Sequence, residues 1–564
     1  MRLNHKQSIL FPALLALLSL VLAMRAFFGF CWSDESFYLT FSDRLWKGQQ
    51  LIIDEWHPVQ FYAAMVHPFL TIYRFFFGTA GMYLFLRLFY VAFSFGVSVY
   101  LYSTLARLSS SGAAFLCACL YLTYSRGDIW GVSYYNLFLS LGLLSVCLVL
   151  RGVEAAGRGR RSCLLFSGVC LAGSVLCVPY FAPFVIVFLV IALFTRYRKD
   201  ALWAAAGIAG AAAAFLIFVL PKDLKAVLEN LRYILSDPEH TAGPIKNLLQ
   251  GLKEVACWYR KDGIILAVTT ALTAILSAKT KLPGKPDCML VLSIGAAASF
   301  YRHLGMETGF EKNTLVLFCL PLLALSWACR RISARALLIR MMGISMMLAL
   351  GLSSNTKATA FTSGLVVYAI GTVLQLEYLT RENREHSFRA WVCGLVCVTL
   401  ALALNTRITR VYRDGPLETL NTTMSDGPAA GIRTTAEHAQ QYQMLLAMLQ
   451  ELNDTYSPEN HIFISKLMPW GYPASDFKCG APTAWRTPLN SGRLESYYSI
   501  HPQSIPDIVV VLADNVGDYP GRPTPNKNTR EGWLWDYMTE HRYIKTEYAL
   551  ADVYISPQAS RREK

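Results

Sequence analysis

Two pairs of adjacent carboxylates, Asp34-Glu35 and Asp54-Glu55, fall within one stretch, Trp32 to Pro58, while the long apolar runs of the chain are nearly free of acids. Carboxylates in such a place have three uses. One can act as a general base. Two together can hold a hard divalent cation. Or they can open a helix, where the dipole favours negative charge. Ser33-Asp34-Glu35-Ser36 ahead of Phe37-Tyr38-Leu39 fits this last use, a cap followed by acids in the first turn. A cap position can also aim its side chain at a cleft. His57, between the second pair and Pro58, either adds an imidazole or ends an extended segment. Further along, Lys222, Lys225, Arg232 and His240 could meet an anion, and each equally suits an interface anchor or a plain loop position. Ser-His-Asp, GxGxxG and CxxC patterns are absent.

What must position these residues is a membrane. Of 564 residues 54% are hydrophobic and only 16% charged, with mean hydropathy +0.35. Apolar runs recur from Ile9 to Leu404, which marks a polytopic α-helical membrane protein. The net charge of +14 sits in short basic runs between apolar segments, so it reads as cytoplasmic loops and not as a nucleic-acid surface. Most of the 14 cysteines lie inside apolar runs as small hydrophobes. Cys31, Cys257 and Cys479 are the ones expected to be exposed. Arg2, His5 and Lys6 precede the first run, which lacks a small-residue cleavage site and is read as a retained helix.

With basic loops inside, one topology is consistent. Residues 8–28 leave the cytoplasm, which puts the acidic loop 29–60 outside. Residues 61–78, broken by His67, Pro68 and Arg74, read as an interfacial or re-entrant helix. Spans follow at 82–103, 111–125, 134–150, 162–178, 180–195, 201–220, 263–279, 287–303, 314–329, 337–352, 358–376 and 389–405, about thirteen in all. The amphipathic outer loop 221–262 reads as two helices lying along the membrane surface, with Leu224, Val227, Leu228, Leu231, Ile234 and Leu235 on one face of the first. After the membrane domain 1–405, residues 406–564 turn rich in Pro, Gly, Asn, Asp and Thr. They read as a folded α/β domain outside, with a helix over Gln440–Leu452 and strands at His461–Ser465, Asp507–Leu512 and Tyr548–Ile555. The expected place is the plasma membrane of a bacterium, N-terminus inside and C-terminal domain outside.

A first membrane helix, then Asp34-Glu35-Ser36-Phe37-Tyr38, then Asp54-Glu55-Trp56-His57-Pro58 and an interfacial helix, resembles the GT-C class of membrane glycosyltransferases. The branch resembled is that of protein O-mannosyltransferases and lipid A aminoarabinose transferases. The tail is similar to that of uncharacterised bacterial members in Pro469-Trp470-Gly471-Tyr472 and Pro482-Thr483-Ala484-Trp485. The resemblance implies inverting transfer of a sugar from a polyprenyl-phosphate carrier to an acceptor hydroxyl on a glycolipid, wall polymer or protein. It gives Asp34 the role of base and Glu35 that of orienter or second carboxylate. Asp54, Glu55, His57, Lys222, Arg232 and His240 become candidates for binding donor or phosphate.

The sequence departs from the branch at two places. Its usual second acid in the loop after the third span is matched by Asp128, or by Asn136 under another alignment, and its basic residue before the proline is replaced by His57. A divalent cation and no metal at all both remain open. Two other classes stay in view: a lipid or small-molecule transporter, and a non-catalytic scaffold for envelope assembly. Ion-coupled transport asks for ionisable groups near mid-membrane, whereas here acids gather at the outer face.

Overall fold

The computed structural model describes residues 5–124, 126, 131–235, 243–258, 260–280, 291, 293–295, 297–298, 333–354, 356–383, 386–465, 468–485, 487–514, 516 and 530–563. The acidic stretch is no open loop. Its first pair opens a helix, α2 (Asp34–Trp46), which follows α1 (His5–Arg25) after a short extended link. Next comes α3 (Ala63–Phe77). At 15 residues it rises about 22 Å, short of the roughly 30 Å of a hydrocarbon core, and it leaves Phe69, Ile72, Phe75, Phe76 and Phe77 exposed.

A helical bundle follows: α4 (Met82–Leu108), α5 (Ser111–Leu122), α6 (Tyr134–Glu154), α7 (Gly157–Cys177), α8 (Ala182–Leu193) and α9 (Arg198–Phe218). Serine side chains cap two of these starts, Ser110 accepting from the Ala113 amide and Ser133 from the Asn136 amide. Small residues allow the tightest crossing. A Cβ on Gly168 would stand 2.0 Å from the Ala204 carbonyl oxygen, and one on Gly207 2.0 Å from that of Leu165. Helices α7 and α9 therefore meet backbone to backbone, as small residues permit where burial in lipid supplies no driving force.

The helices α10 (Leu224–Leu235) and α11 (Pro244–Trp258) form as expected, but the apolar face of α10 is divided. Val227 and Ile234 are buried against protein, whereas Leu224, Leu228 and Leu235 point outward. Then come α12 (Arg260–Thr280), α13 (Ala334–Ser353), α14 (Thr362–Asn383) and α15 (His386–Thr409). Among the described residues six helices are long and apolar enough to cross a membrane, and four apolar helical segments are shorter. The expected count of thirteen is not confirmed; the expected span at 314–329 lies wholly, and that at 287–303 largely, outside the described residues.

The C-terminal part carries α16 (Ala436–Thr455), α17 (Gly492–Ile500) and α18 (Trp533–Glu540) against a sheet of β3 (His461–Ile464), β4 (Lys478–Cys479), β5 (Ile508–Leu512), β6 (Ile544–Tyr548) and β7 (Ala551–Ile555). The strand order is β4-β3-β5-β7-β6, with β3 parallel to β4 and β5, and β7 antiparallel to β5 and β6. Central strand β5 is buried throughout, as its unbroken run of Val, Ile and Leu requires. The strand expected over Tyr548–Ile555 is present as β7 from Ala551 onward; its first residue, Tyr548, ends β6, and a hairpin turn lies between.

A second ribbon, β1 (Thr422–Thr423) with β2 (Arg433–Thr434), fastens this part to the first link. The Gly29 amide donates to the Arg433 carbonyl at 2.8 Å, and the Arg433 amide to that of Phe27 at 2.7 Å. Arg25 gathers the two helix ends beside it, donating to the carbonyls of Phe28, Ile408 and Arg410. Helix α15 runs to Thr409, past the end expected for that span at 405. One continuous apolar core then joins Leu15 to Ile555. Cys31 and Cys479, expected to be exposed, lie in the seam and are buried; Cys257 is exposed.

Candidate active site

The two acids of the first pair face different surroundings, because successive helical residues are turned about 100° apart. Glu35 is buried and both its oxygens are held by the Arg87 guanidinium of α4, Nε to Oε1 and Nη2 to Oε2, the latter at 2.6 Å. The same guanidinium donates to the carbonyls of Ala26 and Gly29. Glu35 thereby fastens the chain entering α2 onto α4. Asp34 remains partly open, its side chain 20% exposed. Its Oδ2 accepts from the Tyr412 hydroxyl at 2.6 Å and lies 3.2 Å from Arg413 Nη1. Its Oδ1 has no partner among the described residues. Ser33 does not cap α2 with its side chain; its hydroxyl accepts from Arg413 at 2.6 Å. That contact comes from a corner at which Arg413 takes φ +51, uncommon for a residue with a Cβ.

One turn along α2, Tyr38 continues the face of Asp34. Its ring meets Tyr134 at 5.7 Å, Tyr134 meets Tyr135 at 3.9 Å, and the Arg126 guanidinium lies 3.5 Å over the Tyr135 ring. Arg126 also donates to the Thr356 hydroxyl at 2.6 Å. Burial, followed by the charge of Asp34, raises the Tyr38 and Tyr412 phenols well above their ordinary value. Both stay protonated at physiological pH, so Tyr412 remains a donor to Asp34. The assembly is a partly open carboxylate held by one guanidinium and one phenol, with a row of tyrosine rings leading from Tyr38 to Arg126.

The second acid pair braces this arrangement. Glu55 is buried, its Oε2 accepting from Arg44 at 2.6 Å and its Oε1 from the His57 amide at 3.0 Å. Burial pushes its carboxyl above the ordinary value against the pull of Arg44. Arg44 itself reaches across to the Ala481 carbonyl at 3.0 Å. Asp54 closes a turn, accepting from the Gln50 amide at 2.6 Å. His57 is buried between Phe37 and Phe41, with ring centroids 4.7 and 5.7 Å away. Trp56 is the hub of a junction. Its indole nitrogen donates to Asn230 of α10 at 2.7 Å, its ring stacks on Tyr233 at 4.5 Å, and Arg493 donates to its carbonyl and to that of Tyr233.

Lys222 and Arg232 are exposed on and before α10, with the Arg232 guanidinium 4.6 Å over the Tyr233 ring. Asp128 and His240 lie outside the described residues. Asn136, the alternative to Asp128, is buried at the start of α6, its amide donating to the Gly131 carbonyl at 2.9 Å. Sequence reasoning missed Tyr412, Arg413, Arg126, Tyr134 and Tyr135. The signal for the first two was a Tyr-Arg-Asp triplet directly after the last apolar run; for Arg126 it was a cation in the same loop as Asp128.

A cation shared by two carboxylates does not fit the described residues. Glu35 is committed to Arg87, and Arg413 supplies positive charge where a metal would sit beside Asp34. No group of three or more His, Cys, Asp or Glu converges among the described residues.

No family model matches the chain, and no curated protein matches it by sequence. Among solved structures it is similar to the archaeal oligosaccharyltransferase AglB from Archaeoglobus fulgidus, solved in complex with an inhibitory peptide and a dolichol-phosphate. The similarity has a TM-score of 0.41 and 14% identity, covering 90% of this chain and 70% of that one.

Proposed function

We propose that this chain is a membrane glycosyltransferase. It moves a sugar from a polyprenyl-phosphate carrier to an acceptor hydroxyl at the outer face of the membrane, with inversion. The observation that carries the reading is Asp34: a carboxylate at a helix start, held through Oδ2 by Tyr412 and Arg413, with Oδ1 open beside tyrosines. The open oxygen takes the acceptor proton as the hydroxyl oxygen bonds to the anomeric carbon. On the opposite side the bond from that carbon to the phosphate oxygen breaks, and its electron pair leaves with the polyprenyl phosphate. Arg126 offers positive charge where that negative charge develops, while Arg413, bound to the base, stays on the acceptor side. Lys222 and Arg232, exposed with the outward leucines of α10, suit the headgroup depth of a lipid carrier. Glu35, Glu55 and His57 hold the element that presents Asp34.

The test is mass spectrometry of lipids that co-purify with the wild-type protein and with Asp34→Asn in mild detergent. A blocked enzyme retains the donor it cannot consume, so a polyprenyl-phosphate sugar enriched on the variant is expected. If neither protein holds any polyprenyl species, the reading fails.

A further inference from the structure

Asp34 owes both its partners to one corner of the chain, Tyr412-Arg413, and the next residue shows what holds that corner. Asp414 is buried and fully engaged. Its Oδ2 accepts from the Phe30 amide and the Thr434 hydroxyl, both at 2.7 Å; its Oδ1 accepts from the Gly415 amide at 2.8 Å and faces His438 Nδ1 at 3.2 Å. Burial alone would raise its carboxyl, but His438, Thr434 and the Phe30 amide hold it below the ordinary carboxylate range. The Thr434 hydroxyl spends its one proton on Asp414, so His438 Nδ1, 3.1 Å from that hydroxyl and 3.2 Å from Oδ1, is the donor to these two oxygens. The His438 ring stacks on Trp32, with centroids 4.6 Å apart and planes 12° apart. Its Nε2 is buried without a hydrogen-bond partner among the described residues.

We infer that Asp414 and His438, which lie in the C-terminal part and never touch Asp34, are positioning residues that set the geometry around it. The pair grips both segments that meet there. Through the Phe30 amide and the Trp32 ring it fixes the link entering α2; through the backbone next to Arg413 it fixes the corner that delivers the Tyr412 hydroxyl and the Arg413 guanidinium. A buried, polar and fully made network is suited to this task, because it specifies one arrangement where an apolar contact would tolerate several. The ring of His438 acts as a spacer: one edge faces Asp414 and one face lies on Trp32. The inference deepens the reading of Asp34 as the working carboxylate. It gives the C-terminal part a direct hold on the base.

The test reads Arg413 directly and needs no transfer reaction, so its failure and that of the glycosyltransferase reading are separate. Purified full-length protein is treated with phenylglyoxal, and modification of each arginine is followed by mass spectrometry. In His438→Leu the corner loses its hold, and Arg413 is expected to react about tenfold faster or more, the factor for one lost hydrogen bond to a charged group. Arg232, far along the chain on α10, should keep its rate. His438→Asn places an amide donor where Nδ1 was and should restore slow modification of Arg413. Thr434→Val, which removes one donor to Asp414, serves where His438→Leu fails to fold, and should give a smaller acceleration. Unchanged Arg413 reactivity in the folded variants overturns the inference, as does an equal acceleration in His438→Asn and His438→Leu.

Discussion

Adjacent acids with different partners should fail in different ways. Replacing Glu35 by Ala strands the Arg87 guanidinium in a buried site with only the Ala26 and Gly29 carbonyls for company. Both side chains of the pair are less than a tenth exposed, so the loss is not softened by solvent. Breaking such a pair from one side costs about 3–5 kcal/mol. Asp34→Asn keeps an oxygen for the Tyr412 hydroxyl and gives up attraction to Arg413, whose side chain is 33% exposed. For a partner so open the cost stays below about 1 kcal/mol. Thermal unfolding followed with a thiol-reactive fluorogenic dye separates the two cases. Cys117, Cys147 and Cys177 are buried in the bundle and report its opening, over a baseline from exposed Cys257 and Cys397. Scaled at about 2 °C per kcal/mol for a large cooperative unit, Glu35→Ala should lower the midpoint by about 6–10 °C, and Asp34→Asn by no more than about 2 °C. Equal shifts would refute the division of labour between the two residues.

Two further outcomes are expected. Gly168→Val or Gly207→Val should split the α7–α9 crossing and abolish the monodisperse peak in size-exclusion chromatography, while Gly210→Ala, whose Cβ meets nothing within 4 Å, should leave it intact. Asp414, with its folded value lowered, contributes stability that is full above the ordinary carboxylate value of about 4 and is lost as pH falls through and below it. The midpoint gap between wild type and Asp414→Asn, about 2–3 kcal/mol at neutral pH, should therefore narrow on acidification; the charged or titratable groups facing the carboxyl are His438 and Arg25. A gap that is constant down to pH 3 would contradict this sign.

Periodicity and charge made much of the fold legible. The helices from Met82 to Phe218 fall where apolar runs predicted them, because a lipid-facing helix must be apolar along its whole length. Strand β5 announced itself by an unbroken Val-Ile-Leu run. The hairpin between β6 and β7 escaped, since β6 is mostly exposed and Lys545, Thr546 and Glu547 break its apolar pattern. At the site, Asp34 stood out by type and position. What spacing by itself could not show was that Glu35 is locked away while Asp34 stays partly open, because that depends on Arg87, fifty-two positions away on another helix. Nor could spacing show that His57 packs between Phe37 and Phe41. Tertiary partners decide whether an acid is a tool or a fastener, and one-dimensional patterns carry little of that information.

The bond from Tyr412 to Asp34 spans 378 positions of sequence. At ribosomal speeds of about 5–20 residues per second, the helix bearing Asp34 waits roughly 20–75 s before its tyrosine exists. During that interval no interrupted or truncated product can give Asp34 its tyrosine partner, whatever part of the bundle it has already formed. Synthesis past Tyr412 is thus a condition for the arrangement around Asp34, and that order of events is written into the connectivity itself.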